Sequence, residues 1–232
     1  ELNVGRDTQV EVRNGNLAVL EPVLTKLAET IFKQAEQERE ALTLYLKTMG
    51  LMGGQRNAVV DVGYGATIQN YLCKLTGQKL NGYYLATDER SIPVAEQHGV
   101  IVRGCLMHNV EHSLAAPIMY LRSFELEKLL SSSDGQVVKY TSKDGVNVEA
   151  HYRELSVQER DGDAFRNDLR NGVLQFARDA VRVRTQLLGS FAPSLEASRA
   201  IADEFFSKHS TDELKLLGEV MLDDHYCGRG VV

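Results

Sequence analysis

Residues Ala58 to Leu75 read A-V-V-D-V-G-Y-G-A-T-I-Q-N-Y-L-C-K-L, and this stretch decides the fold. A short apolar run closes on Asp61, a loop of small residues follows, and an amphipathic stretch opens at Thr67. That order spells strand, tight turn and helix. A helix's first amides have no intrahelical partner and carry the positive end of its dipole, so the turn is a candidate anion cradle. Gly63 and Gly65 let the backbone approach a ligand closely. The bland alternative is a glycine turn that only lets strand and helix pack.

Downstream, Gly82 to Ala86 reads as a second strand and completes a βαβ unit, which predicts a parallel sheet with a right-handed crossover. Gly99 to Cys105 reads as a further strand, and Leu114 to Leu130 as a helix interrupted near Pro117. Val137 to Tyr140 and Val146 to Ala150 predict a β-hairpin with Asp144-Gly145 in its turn. Asp163 to Leu188 and Ser194 to Ser207 predict two late helices, the first with Leu169, Val173, Phe176, Ala180 and Leu187 on one side. Upstream, Leu20, Leu24, Leu27, Ile31, Leu42, Tyr45 and Leu46 recur at helical spacing, so one or two helices are expected from Leu17 to Met49. Val10 to Asn16 predicts a strand and turn. The expected class is α/β, a Rossmann-like parallel sheet with a β-hairpin and a helical C-terminal third. Residues 1–50 form an expected N-terminal helical segment, 51–160 the Rossmann-like core, and 161–232 a helical region packed on that core.

A chain of 232 residues can bury one substantial core, with or without a small subdomain. It is 43% hydrophobic and 25% charged, the composition of an ordinary globular protein, with no run long enough to cross a membrane. A formal charge of -6 argues against non-specific binding to nucleic acid. Cys73, Cys105 and Cys227 are an odd number without C-x-x-C pairing, which fits reduced thiols and predicts a cytoplasmic protein. The first residue is Glu1 and no signal or transit pattern precedes it, so the chain reads as a fragment or one domain of a larger product.

Several chemistries compete for these residues. A dinucleotide fingerprint needs a third glycine where Ile68 stands. Asp88 and Glu89 close the second strand, where an acidic residue would hold a ribose, and this supports an S-adenosylmethionine-dependent methyltransferase. His108-Asn109-Val110-Glu111-His112 fits H-x-x-E-H, which on a helix would present two zinc ligands and a base; the alternative is two histidines lining a loop or pocket without metal. Glu125 and Glu127 are two apart on a predicted helix, so at most one points into any site. Arg178, Arg182 and Arg184 read as a solvated face. Asp223 and Asp224 fit a divalent cation or a capped turn equally well.

The longer string D-V-G-Y-G-A-T-I-Q, from Asp61 to Gln69, resembles the D-[IV]-G-[WY]-x-[GA]-[ST]-x-Q segment of a bacterial family described as HAD-superfamily hydrolase-like and found with cell-surface polysaccharide synthesis. The likeness continues through G-Y-Y-L at Gly82 to Leu85, L-E-K-L-L-S-S-S-D-G-Q-V-V-K-Y from Leu126 to Tyr140, and Asp223-Asp224. It spans roughly Ala35 to Gly228, and the order of the segments is more specific than any one of them.

In that family the matching region lies downstream of a phosphatase domain, and the D-x-D-x-T type motif of such a phosphatase is missing here, so this chain is not expected to be the phosphatase. The region resembles phosphoribosyltransferase-type glycosyltransferases of capsule and O-antigen assembly. The resemblance implies transfer of 5-phosphoribosyl (ribofuranose) from phosphoribosyl pyrophosphate to a saccharide acceptor on a growing surface polysaccharide, with Mg²⁺ as the expected cofactor and a phosphatase domain as partner. Donor binding then falls to Gly63, Tyr64, Gly65, Ala66, Thr67 and Gln69, and catalysis to Asp61 and Glu127. Upstream segments that the family carries, one of F-L-A-R-D-G character and one rich in serine and arginine, are not seen before Leu17. The competing reading is a non-catalytic accessory domain that packs against a hydrolase or transferase module.

Overall fold

The computed structural model describes residues 17–219 apart from positions 55, 114, 191 and 193. The predicted strand and turn at Val10 to Asn16, and the Asp223-Asp224 pair, lie outside those residues. The class is α/β, with a three-stranded parallel sheet, an antiparallel hairpin, and helices through the C-terminal part. The chain folds as two compact units, one of Glu1–Gly50 with Val137–His151, the other of Leu51–Gln136 with Tyr152–Val232.

The first unit is built on α1 (Glu21–Thr48), a single helix where one or two were expected. A 3-10 turn at Leu17–Leu20 leads into it, Pro22 occupies its first turn, and Lys47 sits at its negative end.

The second unit opens with β1 (Ala58–Asp61), and its chain passes through the glycine turn into α2 (Thr67–Thr76), which Gly77 ends in a left-handed cap. Next come β2 (Asn81–Asp88), a 3-10 turn at Glu89–Ser91, α3 (Ile92–His98) and β3 (Val102–Val110). The sheet order is β1-β2-β3, all parallel, with Val60 opposite Tyr83 and Asp61 opposite Tyr84. Parallel neighbours need crossovers, and α2 and α3 supply them. The third strand runs five residues beyond its expected end, carrying His108 and Asn109, because register shifts between Tyr84 and Asp88 break the alternation that marks a strand.

Pro117 caps the next helix rather than kinking a longer one, so the predicted helix is two short ones, α4 (Ile118–Leu121) and α5 (Ser123–Leu130). In the first unit, β4 (Val137–Thr141) packs on α1, where Tyr45 stacks on Tyr140 with ring centroids 4.7 Å apart. The partner strand β5 (Glu149–Tyr152) starts later than expected. Asp144 accepts hydrogen bonds from the Val146 and Asn147 amides, and this side-chain-closed turn takes residues that would otherwise extend the strand.

Four helices follow: α6 (Val157–Asp161), α7 (Asp163–Gln186), α8 (Leu195–Ser207) and α9 (Thr211–Glu219). A capping box of Ser156 and Glu159 starts α6, and the Glu159 carboxylate, 1% exposed, also pairs with Arg153 at 2.7 Å. Pairing of this kind is what lets a carboxylate stay buried. The C-terminal helices return to the α/β core, α8 packing on β3 and α4, and α5 on α7. Phe206 of α8 joins Tyr64, Ala86, Met107, Met119 and Tyr120 in one buried cluster, while Ala66, Tyr84, Val94 and Val102 form another.

Candidate functional site

In a parallel α/β sheet the loops at the carboxyl ends of the strands are where ligands bind, because helix N-termini open there. Here those loops are Val62–Ala66 after β1, the Glu89–Ser91 turn after β2, and the segment after Val110. Asp61, at the end of β1, is half-buried and accepts the Gly63 amide on Oδ1 at 3.0 Å. The turn is tied to β2 by the Asp88 amide, which donates to the Tyr64 carbonyl at 3.1 Å.

Ala66, 2% exposed, precedes α2 with φ 55° and ψ 25°, a left-handed conformation uncommon for a residue with a Cβ. That twist turns the chain sharply into the helix. The amides of Thr67, Ile68 and Gln69 precede the first intrahelical bond, which Asn70 makes to the Ala66 carbonyl at 3.0 Å. Thr67 itself is exposed at the first helical position. The backbone geometry of an anion cradle is therefore present.

Tyr64 is buried, and among the described residues its hydroxyl has no hydrogen-bond partner. Its pKa is pushed above the ordinary phenol value, first by burial and then by the carboxylate of Glu127, with Tyr120 and Asp61 adding to it and Ser123 opposing. Ser123 lies near but outside hydrogen-bond geometry. Tyr64 is thus neutral and a donor across the physiological range, and Asp61 and Glu127, 66 positions apart in the chain, act on the same group.

Gln69 is placed differently. Its side chain is fully buried between α2 and the sheet, where Nε2 donates to the Leu80 carbonyl at 2.7 Å and the Ile101 carbonyl at 3.1 Å, and Oε1 accepts from the Tyr84 hydroxyl at 2.8 Å. Both amide protons are committed to backbone. The periodicity carries a signal for this, since Gln69, Cys73 and Thr76 fall on one helical face and all three are buried.

Arg90 escaped the sequence reading. Asp88, 0% exposed, accepts from the Arg90 amide at 3.0 Å, from its Nη2 at 2.6 Å and from the Tyr120 hydroxyl at 2.9 Å. Burial works to raise the Asp88 pKa, but the hydrogen bonds from Arg90 and Tyr120 outweigh it and hold the carboxyl below its usual value. Tyr120 is pushed up to about 12, by burial first and its bond to Asp88 second. The Arg90 side chain is 69% exposed and lies against Gly65, where an added Cβ would meet Nε at 3.4 Å. With Asp88 so occupied, Glu89 is the exposed acid left at the end of β2.

The H-x-x-E-H reading on a helix is corrected, because His108 lies on β3 and His112 lies beyond it. The Gly104 amide donates to His108 Nδ1 at 3.2 Å, so that nitrogen is an acceptor and the Thr87 hydroxyl, 2.9 Å away, donates to it as well. Among the described residues no group of three or more His, Cys, Asp or Glu side chains gathers to hold a metal. Glu125 pairs with Arg122 at 2.9 Å, and Arg178, Arg182 and Arg184 are exposed. A cavity of about 600 Å³ lies in the first unit between α1 and the hairpin, and none of the sequence-predicted site residues lines it.

Comparison with protein-family models, with curated proteins and with solved structures returns no match to this chain. Among the described residues no helix is long and apolar enough to cross a membrane.

Proposed function

We propose that the chain is a glycosyltransferase domain that binds phosphoribosyl pyrophosphate at the Gly63–Thr67 turn and passes its 5-phosphoribosyl group to a growing surface polysaccharide. The observation that carries the binding half is the open N-terminus of α2 beside Asp61, at the carboxyl end of a parallel sheet. The transfer half rests on the sequence resemblance. The C1–O bond to diphosphate breaks, diphosphate leaving with the electron pair, and a new C1–O bond forms to the acceptor hydroxyl. Glu127 accepts the proton that this hydroxyl gives up. Asp61 orients the ribose through the carboxylate oxygen that the turn does not use. Most of the acceleration is positioning and charge stabilisation.

Mg²⁺ fits this site as an ion carried on the diphosphate, since such an ion needs only one or two protein carboxylates and Asp61 offers one. When bound it supplies neutralisation of the departing diphosphate charge. The accessory reading is favoured by one observation, the exposure of Val173, Phe176 and Val181 along α7 and of Leu187 just after it, apolar surface that a partner phosphatase or transferase module would cover. The methyltransferase reading is left with Glu89 for the ribose, because Asp88 is held by Arg90 and Tyr120.

Titration calorimetry with phosphoribosyl pyrophosphate and with S-adenosylmethionine separates the three. Asp61→Asn and Thr67→Ala are expected to abolish binding of the first ligand with the fold intact. Changes in stability or assembly alone would support the accessory reading, and heat from the second ligand alone would support methyl transfer.

A further inference from the structure

The geometry points to Arg90 as a fork that reads a diphosphate: one phosphoryl group lies on the amides of the α2 N-terminus while the guanidinium, clamped by Asp88 and laid against Gly65, takes the other. The inference rests on the donor site proposed above and specifies which anion that site prefers. A guanidinium has five N–H donors in a fixed plane. Asp88 engages Nε at 3.0 Å and Nη2 at 2.6 Å, so further donors on Nη1 and Nη2 remain outside the carboxylate's reach. Asp88 cannot swing away, because it is fully buried and also holds the Arg90 amide and the Tyr120 hydroxyl. The exposed guanidinium is therefore anchored at its base rather than free to sample solvent. Its Nε lies 3.4 Å from where a Gly65 Cβ would stand, one residue before the Ala66 that opens α2.

Two anion-binding elements thus stand side by side, one of backbone amides and one of planar side-chain donors. Orthophosphate can engage one element at a time, whereas a diphosphate spans both. Asp88 and Tyr120 are positioning residues for Arg90. The absence of a side chain at Gly65 gives the guanidinium its room.

The test is calorimetry on the full chain with inorganic pyrophosphate and, separately, orthophosphate, reading the ratio of the two affinities. Wild type is expected to prefer pyrophosphate by about tenfold or more. Arg90→Lys keeps a charge for Asp88 but loses the fork, and should cut that ratio by about tenfold while orthophosphate affinity stays within about twofold. Gly65→Val displaces the guanidinium without touching Asp88 and should act the same way. Tyr120→Phe should lower the ratio by a smaller factor. A partly unfolded variant lowers the number of sites for both anions alike, so the ratio still reports Arg90. No pyrophosphate binding, equal affinities in wild type, or an unchanged ratio in both Arg90→Lys and Gly65→Val would overturn the inference. An Arg90-dependent pyrophosphate preference without binding of phosphoribosyl pyrophosphate would sustain it and sink the donor reading. Binding of that donor undiminished by Arg90→Lys would do the reverse.

Discussion

Tyr84 donates its hydroxyl to Gln69 Oε1 at 2.8 Å across the α2–sheet interface, and the same carboxamide holds the carbonyls of Leu80 and Ile101. One side chain therefore joins α2 to the entrances of two strands. A Cβ on Gly82 would stand 2.0 Å from Gln69 Oε1, so the glycine keeps room for this network. Gln69→Leu leaves buried polar groups unpaired and is expected to lower the unfolding free energy by about 3 kcal/mol. Thr67→Ala, at an exposed position two residues earlier, should stay within about 0.5 kcal/mol. Urea unfolding of both variants checks this. A Gln69→Leu protein as stable as wild type would mean that the network does not hold the interface.

Asp88 makes stability depend on pH. Its folded pKa is lowered, so its stabilising contribution is complete above the unfolded carboxyl value of about 3.9 and is lost as pH falls toward the folded value. The stability gap between wild type and Asp88→Asn should be widest at neutral pH and shrink below about pH 4. Urea midpoints at pH 7 and pH 3 measure it, and a gap that does not change with pH would exclude the lowered pKa.

Asp144 in the hairpin turn is expected to titrate at about 2, held down first by the Asn147 amide, then by the Val146 amide and the Asn147 side chain. Asn147→Ala removes only the side-chain bond and should raise the value partway toward an ordinary carboxyl. Carbon-detected NMR titration of the carboxyl group reports both. An ordinary value in wild type would mean that the side-chain-closed turn does not persist in solution.

The strand, turn and helix from Ala58 to Thr76 were legible because an apolar run, small residues and an amphipathic stretch follow in fixed order, each bounded by its own stop signal. Elements whose sequence lacks such order were not. The end of β3 carries polar residues at register shifts, so the H-x-x-E-H string was readable as a helix although it starts on a strand. The short α3 buries only Val94 and gives no periodic stripe. Asp61, Tyr64 and Glu127 were named from local pattern and resemblance, and the structure brings both carboxylates to act on the Tyr64 hydroxyl. Arg90 could not, because its orientation depends on Asp88, Tyr120 and Gly65, and no window of sequence places those three around it.

Ala66 links that local pattern to backbone geometry. Its left-handed φ of 55° costs a residue with a Cβ about 1 kcal/mol, a strain that glycine does not carry. Ala66→Gly relieves about 1 kcal/mol of backbone strain. It also removes a buried methyl worth about 0.8 kcal/mol, so stability should be nearly unchanged. Ala66→Val places a β-branched residue where φ is positive and crowds Tyr84 and Val94 in the same cluster, and should lose about 2 kcal/mol or more. Were the backbone at 66 right-handed and helical, glycine would instead be worse than alanine by about 1 kcal/mol and valine would be tolerated better than glycine. The two conformations therefore predict opposite rankings of glycine and valine, and urea unfolding of the two variants beside wild type decides between them.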